Sequence, residues 1–253
     1  MTIVLLHGFC EDHRIWDPLL ASSKHRKDMV CIDLPGFGKN ASMHALGESV
    51  GAMAEFVKAE IEKLGISKVI FIGHSLGGYV TLALAEKYPN RVAGIGLFHS
   101  TAMPDNEERK EGRMKTIAFV NTHGAEAYHR VLIPNLFKPG TSETVIESTI
   151  AMAKSSKSEG IITALMAMRN RPDRMDVLRN FDKPVLFIAG ESDLLIPKSS
   201  IMEQATQCSV AQLEVLEHSA HMGLIEEPER SAAIIDAFCD FVVEFKSEEP
   251  GER

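Results

Sequence analysis

Concentrated positive charge is missing from this sequence. Its 27 lysines and arginines are outnumbered by 35 aspartates and glutamates, which leaves a formal net charge of -8 over 253 residues. Nucleic acids and anionic membrane surfaces are held by clustered positive charge, so neither is an expected partner; a small molecule is. Cysteine is scarce as well. Cys10, Cys31, Cys208 and Cys239 lie far apart and form no C-x-x-C pair, a spacing that supports neither a disulfide framework nor a zinc site and fits a reducing compartment. Long apolar runs are also lacking: the longest, IITALMAM at 161–168, is well short of the roughly 20 residues a membrane-spanning helix needs. The opening MTIVLLHGFC has neither the basic segment nor the long apolar core of a secretory leader. A cytoplasmic protein without membrane insertion, monomeric or homodimeric, is the expectation.

What is present is an ordinary globular balance, 45% hydrophobic and 25% charged, on a chain long enough to bury one large core. No internal repeat or low-complexity segment interrupts it. Six short apolar runs read as strands: TIVLL at 2–6, MVCID at 29–33, KVIFI at 68–72, GIGLF at 94–98, PVLFI at 184–188 and QLEVL at 212–216. Most are apolar throughout, as parallel strands covered on both faces are. Helical spacing lies between them. Val50, Met53, Ala54, Val57, Ile61 and Leu64 mark one helix, closed by Gly65. A second is expected from just after Ser75 to Pro89, and a last one over about 229–245, followed by a frayed tail at 248–253. Strand and helix in alternation predict an α/β fold with a mostly parallel sheet.

Residues 101–180 break that alternation, being too long for a plain connection. Short helices near 106–120, 123–133, 143–154 and 158–169 make this a helical cap subdomain between the fourth and fifth strands, with 1–100 and 181–247 as the core. Six of the twelve methionines fall in it (Met103, Met114, Met152, Met166, Met168, Met175), with Phe119, Tyr128 and Phe137. They read either as glue between helices or as an adaptable apolar lining over a cleft. The segment holds 12 Lys+Arg against 10 Asp+Glu. Solvated helix faces account for that surplus, and a carboxylate-bearing substrate is compatible with it.

The chemistry gathers at FIGHSLGGYV, 71–80. Gly73-His74-Ser75-Leu76-Gly77 matches G-x-S-x-G between a buried strand and a helix, the context that gives this motif its meaning. A sharp strand-to-helix turn forces the serine into a strained conformation, and side chains at 73 and 77 would clash. A serine hydroxyl is a poor nucleophile at neutral pH without a base and a group to orient that base. Asp193, in the loop after the fifth strand, and His221, in the loop after the sixth, lie where loops on one sheet edge converge.

Together HGFCEDHRIW, DLPGFGKN, GHSLGG, GESDLLIP and HMGLIEEPE resemble, in the right order, the motifs of the α/β-hydrolase superfamily. The resemblance covers nearly the whole chain. It implies Ser75 as nucleophile, His221 as general base and then acid, Asp193 as its ionised partner, and the N–H groups of Phe9 and Leu76 as the oxyanion hole. It implies no metal and no cofactor. Larger members carry two further strands before the HG segment, so the strand at 29–33 is expected at a sheet edge. Position 10, often glycine in the family, is Cys10 here.

Neighbouring residues compete for these roles. Glu191 lies two residues from Asp193, and His218 three from His221; neither fits the family pattern as well. Gly36-Phe37-Gly38-Lys39-Asn40-Ala41 fits a dinucleotide fingerprint only loosely, because no acidic residue follows at the end of a second strand. His7 reads as a structural hydrogen-bonding residue beside the oxyanion loop. Within the superfamily the chain looks most like small esterases and enol-lactonases, implying hydrolysis of an ester, lactone or thioester of a small apolar acyl compound. Carbon–carbon bond hydrolysis and ligand sensing with slow turnover are the alternatives the same residues leave open.

Overall fold

A computed structural model describes residues 1–247; the tail expected at 248–253 lies outside them. Six strands form one parallel sheet: β1 (Thr2–Leu6), β2 (Met29–Ile32), β3 (Val69–His74), β4 (Val92–Phe98), β5 (Val185–Gly190) and β6 (Ala211–Leu216), in the order β2-β1-β3-β4-β5-β6. β2 is an edge strand, as expected. Helices α1 (Asp17–Ser22), α2 (Val50–Lys63) and α3 (Leu76–Lys87) precede β4. Between β4 and β5 come α4 (Glu107–Leu132), α5 (Glu143–Ala153), α6 (Ser158–Arg169) and α7 (Met175–Asn180). The chain closes with α8 (Lys198–Ala205), α9 (Gly223–Glu226) and α10 (Pro228–Ser247).

Alternation along each strand sends side chains to opposite faces of the sheet, so the molecule has two cores. Val4, Leu6 and Phe71 join Val57 of α2, Val80 of α3 and Ile201 of α8 on one face. Ile3, Leu5, Ile70 and Ile72 join Leu19 of α1 and Ile235 and Phe238 of α10 on the other. Because both faces are covered, the central strands need apolar residues at successive positions, and β3, β4 and β5 are buried throughout.

Local chemistry sets the helix ends. Ser49 caps α2 by accepting from Ala52 N–H, and Gly65, at φ 70°, closes it while Ile66 N–H reaches back to the Ile61 carbonyl. Asn106 caps α4 by accepting from Arg109 N–H. That helix breaks at Gly124, whose φ of 81° and ψ of 171° no helix admits, which accounts for the two helices expected there.

The chain reverses its direction of travel across the sheet at β1, which has β2 on one side and β3 on the other. Open parallel sheets present a crevice beyond the carboxyl ends of the strands at such a switch point. The segment Gly8–Phe9 follows β1 there, and Ser75 follows β3.

Candidate active site

Ser75 is strained: φ 48° and ψ -111° lie where side-chain-bearing residues are rarely found. Its N–H donates to the Phe98 carbonyl (2.9 Å), and its own carbonyl accepts from Gly78 N–H (3.0 Å) and Ser100 Oγ–H (2.7 Å). Glycine makes the turn possible. A Cβ on Gly77 would stand 2.1 Å from the Leu6 carbonyl oxygen, and one on Gly73 2.3 Å from the Gly77 carbonyl carbon. Gly78 gives room to the side chain of Ser100, just past β4.

The loops after β5 and β6 meet this turn. His221 Nε2 lies 3.0 Å from Ser75 Oγ, and His221 Nδ1 lies 2.8 Å from Asp193 Oδ2. The other carboxylate oxygen of Asp193 accepts from the N–H groups of Leu195 (2.8 Å) and Ile196 (3.0 Å). Burial alone would favour a neutral carboxyl, but the charge and hydrogen bond of His221, with a contribution from His99, hold Asp193 well below the usual carboxylate range. Asp193 is therefore ionised. Glu226 steadies the histidine loop, accepting from Ala220 N–H (2.9 Å) with one oxygen and from Lys138 N–H (2.7 Å) with the other. His221 N–H donates to the Leu136 carbonyl at 2.9 Å.

Phe9 and Leu76 flank the serine from two directions. Leu76 opens α3, and the first N–H groups of a helix have no partner within it. Phe9 follows Gly8, whose N–H is fixed by Glu11 Oε2 at 2.7 Å. Cys10 follows with φ 61°, a conformation that favours glycine. The family's frequent glycine at this position therefore has a backbone reason, and here a buried thiol adopts the same geometry. Burial pushes that thiol well above its ordinary pKa.

Ser75 and His221 open into a cavity of about 310 Å³. Its walls are mostly apolar: Phe9 and Tyr79 from the core, Tyr128 and Leu132 from α4, Leu165 and Met168 from α6. Of the six methionines between β4 and β5, only Met168 lines it; Met152 and Met175 are buried in the cores and Met114 is exposed. Arg113 enters the wall with its guanidinium held by the buried Asp105, which also binds Arg171.

A profile of the alpha/beta hydrolase fold matches residues 2–122 of the chain. A thermophilic esterase from Thermogutta terrifontis superposes with a TM-score of 0.86 at 28% identity, over 96% of this chain and 90% of the other. The enol-lactonase of Burkholderia xenovorans LB400 shares the fold, with a TM-score of 0.84 at 22% identity over 94% of this chain and 90% of its own. The chain has the α/β-hydrolase fold. Among curated sequences it is 28% identical over 241 residues to the dihydrolipoyllysine-residue acetyltransferase component of an acetoin cleaving system from Pseudomonas putida. The match covers 90% of this chain and 60% of that longer protein.

The remaining conspicuous residues of the chain sort clearly. Glu191 turns outward to pair with Lys198 at 2.6 Å. His218 is exposed, its backbone N–H held by Glu227. The loop at Gly36 is closed on itself by Gly36 N–H to the Asn40 carbonyl (2.9 Å) and is covered by Gly160 of α6, so it offers no open phosphate cradle. His7 accepts from Leu34 N–H through Nε2 (2.9 Å) and bonds the Gly8 carbonyl through Nδ1 (2.7 Å), bracing the loop that carries Phe9. Among the described residues no helix is long and apolar enough to cross a membrane.

Three buried residues beside the triad were not singled out from sequence. Glu11 and His74 form an ion pair at 3.0 Å beneath the serine turn, and His74 Nε2 donates to the His221 carbonyl at 2.9 Å. His99, immediately after β4, places Nδ1 3.2 Å from Asp193 Oδ2. Its signal was available: a histidine at the carboxyl end of a central parallel strand points to the edge where such sites are built.

Proposed function

We propose that this protein of α/β-hydrolase fold is a serine hydrolase cleaving an ester, lactone or thioester of a small, largely apolar acyl compound, with Ser75, His221 and Asp193 as its catalytic triad. The reading is carried by one observation: the continuous chain of contacts from Asp193 through His221 to Ser75 Oγ opens into a closely lined apolar cavity. The helical segment 101–180 acts as a cap subdomain over this site, supplying the wall that selects the acyl group. The substrate is a small molecule, and the chemistry requires no metal or cofactor.

The steps follow from the geometry. Ser75 Oγ attacks the carbonyl carbon as its proton passes to His221 Nε2, and ionised Asp193 stabilises the resulting imidazolium through Nδ1. The N–H groups of Phe9 and Leu76 bind the tetrahedral oxyanion, a contribution of about 3 kcal/mol to the barrier for each such donor. Collapse breaks the bond to the leaving alcohol or thiol, which takes the proton from Nε2. Water then attacks the acyl-serine, gives its proton to His221, and the carboxylic acid departs as Ser75 regains its hydrogen.

A fluorophosphonate probe tests the assignment. Ser75 is expected to be labelled, and Ser75→Ala to lose both labelling and turnover on a panel of short- and medium-chain p-nitrophenyl esters, lactones and thioesters. Retained turnover in Ser75→Ala would overturn the proposal. So would an unlabelled parent enzyme.

A further inference from the structure

His99 is built into its place with unusual care. It is fully buried, and its backbone adopts φ 48°, a conformation that histidine enters only when its surroundings impose it. Its N–H donates to the Ile188 carbonyl at 2.9 Å, anchoring it to β5. Two glycines make room for the ring: a Cβ on Gly190 would lie 2.9 Å from His99 Cε1, and one on Gly223 2.6 Å from Nε2. Gly223 N–H points at Nε2 from 3.2 Å, so Nε2 is the accepting nitrogen and the ring proton resides on Nδ1.

That proton faces one acceptor. Asp193 Oδ2 lies 3.2 Å from His99 Nδ1, close enough for electrostatic attraction, although the angle admits no hydrogen bond and leaves Nδ1 without a hydrogen-bond partner. The same oxygen receives His221 Nδ1. Burial keeps the ring neutral by lowering its pKa to about 4, against the pull of Asp193. The other charged or titratable groups around the ring are His221 and His74, and His74 is itself paired with Glu11.

We propose that His99 is a positioning residue of the active site, presenting its Nδ1–H to Asp193 Oδ2 and so holding that oxygen in line with His221. The proposal rests on the triad reading above. Asp193 Oδ1 accepts from Leu195 and Ile196 and Oδ2 from His221, while the polar edge of His99 stands beside Oδ2 at 3.2 Å without a well-aligned hydrogen bond. Without His99, Oδ2 loses that neighbouring partial positive charge. The carboxylate becomes more basic and more free to rotate, so His221 holds its proton more tightly and less reproducibly in place.

Two variants and one spectrum test this. His99→Leu removes the donor, whereas His99→Asn keeps an N–H donor on a residue that tolerates positive φ. On a p-nitrophenyl ester, His99→Leu is expected to lower kcat about ten-fold with KM nearly unchanged, and to move the acid limb of kcat/KM to higher pH. His99→Asn is expected to recover most of kcat. An unmoved acid limb in a folded His99→Leu protein, or a loss of activity no larger than the loss of folded protein, would overturn the proposal. If His99→Leu does not fold, the ¹⁵N-histidine spectrum of the parent enzyme decides. It is expected to show His99 neutral from pH 5 upward with its proton on Nδ1, and a proton on Nε2 or titration near pH 6.5 would sink the idea. The spectrum needs no turnover, so its outcome is separate from that of the serine-labelling experiment.

Discussion

Glu11 and His74 meet at 3.0 Å with both side chains sealed from solvent, one from the loop after β1 and the other from the end of β3. Their pairing fixes two neighbours at once. Glu11 also binds Gly8 N–H, and His74 also binds the His221 carbonyl, so one ion pair sets both the Gly8–Phe9 loop and the loop that carries His221. Although burial disfavours both charges, the partner together with the neighbouring groups offsets it, Glu11 being helped by His7 and Gly8 N–H and His74 by the His221 carbonyl and Asp193, so Glu11 is held below the usual carboxylate range and His74 above the usual imidazole range. Glu11→Ala leaves a buried cation without its partner, and a loss of about 3–5 kcal/mol is expected. Urea unfolding measures it, and a loss below about 1 kcal/mol would show that the pair is not structural.

The acid of the triad is separable from its neighbour. Asp193→Asn is expected to lower kcat by about 10⁴-fold, through the wrong histidine tautomer rather than lost shape. Glu191→Gln breaks only the surface pair with Lys198, and kcat should stay within about two-fold, with stability changed by less than about 1 kcal/mol. Steady-state kinetics on one ester distinguishes them, and the reverse order of effects would exchange the two assignments.

Glycine at 77 is imposed by backbone rather than by side chains. Gly77→Ala places a methyl 2.1 Å from the Leu6 carbonyl oxygen, and a loss of more than about 3 kcal/mol is expected, together with loss of serine labelling. Gly51 on α2 is the control, since a Cβ there meets nothing nearer than 3.7 Å. Gly51→Ala should stabilise by about 0.5–1 kcal/mol through helix propensity alone. Thermal unfolding of the two variants should therefore shift in opposite directions.

Stability should depend on pH through buried neutral histidines. Burial lowers His7, His99 and His129 in the folded state, the latter two to about 4, while the unfolded chain titrates near 6.5. Below about pH 6.5 the unfolded state thus binds more protons, so the stability these groups contribute is present above that pH and lost as pH falls toward 4. His99 and His129 each contribute a slope of up to about 1.4 kcal/mol per pH unit within that window, and His7 acts in the same direction. Urea midpoints between pH 7.5 and 4.5 check this; a flat profile would contradict the buried neutral assignment.

Strands and helices were legible in the sequence where periodicity and end chemistry agreed. The apolar run at 2–6 became β1 without adjustment, that at 212–216 became β6 with one residue added, and the helices expected near 106–120 and 123–133 correspond to the two parts of α4 on either side of Gly124. The meeting of Ser75, Asp193 and His221 was legible because all three residues follow strands whose carboxyl ends share an edge. His99, His74 and Glu11 were harder to single out because their roles depend on which loops come to lie against one another. Glu11 is charged in an otherwise ordinary loop, and nothing local says that a histidine 63 residues away will neutralise it. The shorter helices α7 and α8 carry too few turns for their spacing to stand out.

β6 sits at the far edge of the sheet and joins it only through β5, and His221 comes after it. A chain whose other five strands have already docked has its serine turn formed but no base beside it. Asp193 comes in with β5, whose pairing with β4 joins Ile95 to Val185 across a long stretch of chain and is intrinsically slow, and His221 follows only once β6 pairs with β5. Regained turnover is therefore the last signal to return on refolding, and it acts as a clock for the closing event of assembly.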